Sequence, residues 1–435
     1  MDFLEGGKIN DMSLMNRRQF VLATGTGAAA IAAGCRGMGT TSTSKPRTVA
    51  LLATHVRRHS HAQHFIDRFV EGYGWHGRWY RPEVQLVSLY VDQFPERDLA
   101  RDRSKRFDVP IYSTIAEALT RGGKGLAVDG VVIIGEHGRY PRNEKGQTLY
   151  PRYKWFKEIV RVFEETGRSV PVWNDKHLST SWDECVEMVA DARRLGFPFF
   201  AGSSLPVTWR IPSIEMPSGS LLDESLCICY GGVDSYDFHG LETAQCMSER
   251  RRGGETGVKS VHALRGEPMW NMLERREGTR RLFLAAMARS HTVKAPEGYT
   301  ITRPTIEWAR QASPNAVAYF IEHNDGLLTT MLMCNGLLRD FVYAGRTTNG
   351  TISCQMHLPM PGFSSTTADF FNPLMHQIER MILTGRVPYP VERTLLTSGM
   401  TLAGVESLHR GQQRVATPEM NVAYRVPRTS TFWRA

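Results

Sequence analysis

Val128-Asp129-Gly130-Val131-Val132-Ile133-Ile134, closing on Gly135, is a strongly apolar run of strand length. Upstream, Val49-Ala50-Leu51-Leu52-Ala53 has the same character, and residues 61–70 place apolar side chains at helical spacing. A polar, aromatic insertion over 72–82 leads into a strand pattern over 84–91 that ends in Asp92. Helical patterns follow at 97–107, 114–119, 153–165 and 182–195, with short strand patterns at 110–112, 170–173 and 198–201. Apolar strands alternating with helices of about 10–15 residues predict βαβ units and a parallel sheet. Such a sheet binds its ligands at the carboxyl ends of its strands.

Beyond residue 205 the pattern changes. Strand-like runs at 225–230, 258–264, 316–321, 326–333 and 351–358 show no regular helices between them, which predicts a mostly antiparallel sheet. One face of that sheet is expected to cover the ligand site and the other to support a homo-oligomer. Residues 370–383 read as a terminal amphipathic helix. The polar run from Glu249 through Arg250-Arg251-Arg252 to Gly257 reads as a loop with solvated charges, anion binding being the alternative.

The bounds agree with an ordinary globular chain. It has 435 residues, 41% hydrophobic and 22% charged, enough for two cores. The formal charge of +9 is spread among acids in every segment, and no nucleic-acid motif appears, so a solvated surface or an anionic small ligand is expected. No stretch after residue 35 is apolar for about 18 residues. Cysteines 35, 185, 227, 229, 246, 334 and 354 form no CxxC pair and no zinc-type spacing. Cys227 and Cys229 flank one residue and share a strand face as small core residues; no disulfide framework is expected, and a single bridge stays open.

The amino terminus carries a separate message. Asn16-Arg17-Arg18-Gln19-Phe20-Val21-Leu22, followed by a mild Ala/Gly-rich stretch to Ala33, is the pattern of a twin-arginine export signal. Ala32-Ala33-Gly34-Cys35 resembles a lipobox, with Ala32 where leucine is usual; lipidation of Cys35 and simple cleavage nearby remain alternatives. Residues 1–46 are thus expected to be signal and tether, and the protein periplasmic or lipid-anchored at the envelope.

Several motifs occur in the order of one known family. Leu86-Val87 through Asp92, Pro95-Glu96-Arg97, Phe107-Asp108-Val109-Pro110-Ile111-Tyr112 and Val128–Ile134 come first. Asp175-Lys176-His177-Leu178 and Gly231-Gly232-Val233-Asp234 through His239 to Glu242 follow, then Thr384-Gly385-Arg386-Val387-Pro388 and Val415-Ala416-Thr417-Pro418. Together they resemble the Gfo/Idh/MocA oxidoreductases across residues 48–420. The resemblance implies a Rossmann-like α/β domain at 47–205 and an α+β domain for substrate and assembly at 206–435. It implies an NAD- or NADP-dependent enzyme that oxidises a carbohydrate or polyol hydroxyl; with the export signal, the cofactor is expected to be tightly held. A redox-neutral sugar lyase or hydrolase with trapped NAD, and a cofactor-free binding protein, are the alternatives.

The departures from the family bear on the site. The glycine fingerprint after the first strand is replaced by Ala53, His55 and Arg58, which narrows the approach of a pyrophosphate, although Arg58 offers a phosphate partner. Asp92 is placed to accept a ribose hydroxyl and to repel a 2′-phosphate, favouring NAD, and Gly135 completes the cofactor side. Lys176 stands at the family's catalytic lysine; burial and nearby positive charge are expected to lower its pKa towards a general base. His177 replaces the family's proline. His239 is the second acid–base candidate, with Asp237 as the catalytic acid beside it, although Asp234 also flanks Ser235 where the family has its Asp. Among His55, His59, His61 and His64 only the 55/59 and 61/64 pairs share a helical face, and no flanking acid joins them, so no metal is expected.

Overall fold

Hydrophobic strands with both faces apolar can exist only where helices cover both sides, and the computed structural model shows that arrangement. It describes residues 45–295, 304–360, 367–430 and 432; the export motif at 16–22 and Cys35 lie outside them. Pro46–Ala435 forms one compact unit.

The first sheet is all parallel. Its strands are β1 (Thr48–Ala53), β4 (Gln85–Val91), β5 (Ile111–Tyr112), β6 (Gly130–Ile134), β7 (Val172–Asp175) and β8 (Phe199–Gly202), in the order β5-β4-β1-β6-β7-β8. The insertion between β1 and β4 is a small hairpin of β2 (Tyr73–Trp75) and β3 (Arg78–Tyr80). Order reverses at β1, which opens a crevice at the carboxyl ends of β1 and β6. One face packs on α1 (His61–Glu71) through Phe65, Ile66 and Phe69. The other packs on α3 (Ile115–Thr120), α4 (Arg152–Thr166) and α5 (Trp182–Leu195). Helix α2 (Ala100–Phe107) starts three residues later than its pattern suggests, because Asp98 accepts hydrogen bonds from the amides of Ala100 and Arg101.

The second sheet has eight strands: β9 (Arg210–Ile211), β10 (Leu222–Cys229), β11 (Val258–Arg265), β12 (Val317–His323), β13 (Leu328–Met333), β14 (Phe341–Thr347), β15 (Gly350–Met356) and β16 (Val415–Ala416). All pairings are antiparallel except β10 with β13. The expectation that helices are missing here is corrected. Helices α6 (Tyr236–Ser248), α7 (Glu267–Arg275), α8 (Glu277–Met287) and α9 (Ile306–Ala312) fall between the strands. The last three cover one sheet face through Met269, Trp270, Phe283 and Trp308. Helix α6 and α11 (Glu392–His409) cover the other. Both are buried nearly all round, which removes the polar stripe that would have betrayed them. Nor is the helix at 370–383 terminal: α10 (Phe371–Thr384) returns to the first sheet, packing Leu374, Ile378 and Ile382 against it.

The Glu249–Gly257 run is also corrected. It is a turn, but its charges are largely internal. Arg251 pairs with Glu255 at 3.0 Å and Asp325 at 2.7 Å, Glu255 meets His323 at 3.1 Å, and Glu249 pairs with Arg393 from α11. Only Arg252 of the three arginines is exposed. The six described cysteines are free thiols, and Cys227 and Cys229 share a fully buried face.

Candidate active site

The carboxyl ends of β1, β6, β7, β8 and β10 converge on a cavity of about 430 Å³. Lys176 and His177 enter from the end of β7, Glu136 and His137 from β6, His61 and His64 from α1, and His239 from α6. Four of its lining residues, His59 (φ 64°), His137 (φ 68°), Lys176 (φ 66°) and Asp234 (φ 59°), hold left-handed backbone. Such conformations cost about 1–3 kcal/mol each and persist where a site requires them. Lys176 is fixed there by its amide, which donates to Gly202 O at 2.8 Å.

Glu136 is the hub of the site. Its Oε2 lies 2.9 Å from Lys176 Nζ and 3.5 Å from His61 Nδ1, and its Oε1 lies 3.0 Å from His137 Nε2. His61 Nδ1 in turn sits 2.7 Å from Asp175 Oδ2. Burial alone would lower the Lys176 ammonium, but Glu136 and Asp175 outweigh it and hold it above the ordinary lysine value. The expected lowering towards a general base is therefore corrected: the two carboxylates favour the charged form of Lys176. Burial likewise opposes a charge on His61, yet Asp175 and Glu136 raise its pKa. The histidine cluster thus does meet acids, brought from β6 and β7 rather than from its own segment. His61, Glu136 and Asp175 place potential metal-ligand atoms within 4.8 Å of one another.

His239 differs. Burial, and after it Lys176, keep its imidazole well below the usual histidine range, and Nδ1 has no hydrogen-bond partner among the described residues. Asp237 is fully buried and outside the cavity lining. Its carboxylate accepts from the amides of Asp234, Ser235 and Phe238 and from the Tyr319 hydroxyl, so it shapes the turn that delivers His239. Asp234 grips the 141–150 hairpin instead, accepting from Gln147 Nε2 at 3.0 Å and the Thr148 amide at 3.2 Å.

A second cavity, about 650 Å³, adjoins the first through the shared residues His137 and Tyr150. His55 lines it, with Arg57, Gln93, Phe94 and Arg139. Arg58 lines neither cavity, whereas its neighbour Arg57, exposed like it, lines the second. Ala53 is buried in β1 outside both linings. Asp92 lies at the rim of the sheet, its two oxygens accepting from Tyr90 at 2.9 Å and Tyr140 at 2.6 Å. Gly135 serves a neighbour: a Cβ there would stand 2.5 Å from Arg152 Cγ. Glu136, His137 and Arg152 escaped the sequence reading. The signal for the first two was position, since Glu136-His137 closely follow an apolar parallel strand.

No family model matches the chain, and no curated protein sequence matches it. Solved structures do. GenD2 from gentamicin A biosynthesis, in complex with NAD, aligns over 86% of this chain and 97% of its own, at 12% identity and a TM-score of 0.54. Myo-inositol dehydrogenase from Lactobacillus casei, in complex with NAD(H) and myo-inositol, aligns over 86% and 97% at 10% identity and a TM-score of 0.53. Myo-inositol 2-dehydrogenase from Lactobacillus plantarum aligns over 86% and 99% at 10% identity and a TM-score of 0.50. At such identities the likeness shows the fold. It is the two-domain fold of these dehydrogenases.

Proposed function

We propose that the chain is an NAD-dependent oxidoreductase acting on a hydroxyl group of a polyol or carbohydrate. One observation carries this reading: at the switch point of the parallel sheet, a cavity lined by Arg57 and Arg139 opens beside one lined by Lys176 and His239. The fold shared with GenD2 and the inositol dehydrogenases supports it.

The residues fit a dinucleotide held in an unusual way. Loop amides that would cradle a pyrophosphate are engaged internally: those of Arg57 and Gln63 donate to Ser60 Oγ, and that of His59 donates to Gln63 Oε1. Arg57 and Arg139, on the second cavity, are instead placed to pair with phosphate oxygens. NAD, when bound, supplies the hydride acceptor. The Lys176 ammonium donates a hydrogen bond to the substrate oxygen and stabilises the negative charge that grows as its proton leaves. His239, on the lining of the same cavity, receives that proton on its imidazole. Glu136 keeps the ammonium charged and aimed, and Asp237 acts as a positioning residue beneath His239.

Export by the twin-arginine route, with a periplasmic or Cys35-anchored location, belongs to the same reading and rests on residues 16–35. Folded export suits an enzyme that must carry its nicotinamide with it.

Absorbance and mass spectrometry of the denatured, purified protein are expected to reveal NAD. Lys176→Met and His239→Asn are expected to retain it while losing polyol-dependent reduction by about a hundredfold or more. Failure of the wild type to carry or bind NAD sinks the oxidoreductase reading.

A further inference from the structure

A buried guanidinium is expensive unless a carboxylate accompanies it. Arg152, 2% exposed at the first turn of α4, has no carboxylate within ion-pair distance among the described residues. It donates only to two backbone carbonyls, Gly135 O at 2.9 Å from Nε and His177 O at 3.2 Å from Nη1. The nearby acids are committed elsewhere, Glu136 to Lys176, His61 and His137, and Asp234 to Gln147 and Thr148. A glycine at 135 makes room for the Arg152 stem, so the chain gives up a side chain to seat this cation against the cavity. Arg142, on the 141–150 hairpin, lines the same cavity and likewise has no acidic partner among the described residues.

We propose that the substrate of this cavity is an acidic sugar or polyol acid, whose carboxylate is held by Arg152 and Arg142. This rests on the reading of the cavity as the substrate site. Guanidinium groups match the planar carboxylate with paired hydrogen bonds, which a neutral polyol cannot return. The diphosphate of a dinucleotide is not the anion in question, because Arg57 and Arg139 line the other cavity while Arg142 and Arg152 line that of Lys176 and His239. The carboxylate also completes the charge of the site: it meets the two cations that the internal acids leave without a contact.

The test is equilibrium titration of the purified full chain, with and without NAD, by D-galacturonate, D-galactose and D-galactose 6-phosphate. The uronate is expected to bind at least about tenfold more tightly than the neutral sugar. Arg142→Met, on an exposed hairpin, is expected to abolish most of that preference. Arg152→Met is expected to do the same, checked by circular dichroism for folding. Equal binding of acid and neutral sugar, binding of neither, or a preference that survives Arg142→Met overturns the proposal. Tighter binding of the phosphorylated sugar than of the uronate also overturns the carboxylate assignment. Titration with NAD alone reports separately on the oxidoreductase reading, so the two can fail independently.

Discussion

Replacing Glu136 by glutamine keeps the shape of the hub and removes its charge. In the native protein the carboxylate faces Lys176 at 2.9 Å, His61 at 3.5 Å and His137 at 3.0 Å. At an effective dielectric constant of about 20 the Glu136–Lys176 attraction alone is about 6 kcal/mol. Desolvation offsets part of it, and removing one member of a buried pair costs about 3–5 kcal/mol net. Unfolding entropy near 2.1 cal/mol/K per residue, over Pro46–Ala435, makes that a fall in Tm of about 4–6 °C. The pH dependence has a definite sign. Burial would raise the Glu136 pKa, but His61, Lys176 and His137 hold it well below the ordinary value. A depressed carboxylate stabilises above its unfolded pKa, and the contribution is lost as pH falls through the folded one. Scanning calorimetry at pH 7.5 should therefore show the full deficit of Glu136→Gln, and at about pH 3.5 a smaller one. A deficit below about 1 °C, or one of equal size at both pH values, refutes the reasoning.

Three further outcomes are expected. Burial raises Glu242 to about 7, so the folded protein binds more protons than the unfolded chain between roughly pH 4.5 and 7 and loses about 3 kcal/mol as pH rises through that window; denaturant unfolding should show Glu242→Gln gaining on wild type at pH 8 but not at pH 5, and a gain independent of pH refutes this. Gly135→Ala drives a methyl group into Arg152, which should cost about 1–3 kcal/mol in thermal denaturation and weaken uronate binding; unchanged stability and binding would show that Arg152 needs no seat. Arg17→Lys with Arg18→Lys should leave precursor in the cytoplasm on cell fractionation, and efficient export of the double variant removes the twin-arginine reading.

The sequence alone determined the parallel sheet, because β1 and β6 are apolar on both faces and the helices between them keep a polar stripe. Local chemistry was enough for that. It was not enough for α6 and α11, whose surroundings are apolar on every side, so that no periodicity marks them. The site divides in the same way. Lys176, His239 and His55 were legible from position along the chain, and each lines a cavity. The charge on Lys176 was not, because Glu136 lies forty residues away and reaches it only when β6 and β7 pair. Arg58 was placed by register with a glycine loop this chain lacks and Asp92 by its position at the end of β4; in the fold Arg57 rather than Arg58 lines the cavity, and Asp92 accepts from Tyr90 and Tyr140. Periodicity records which surfaces are buried. Which charges meet once they are buried depends on strand order, and only the tertiary structure decides that.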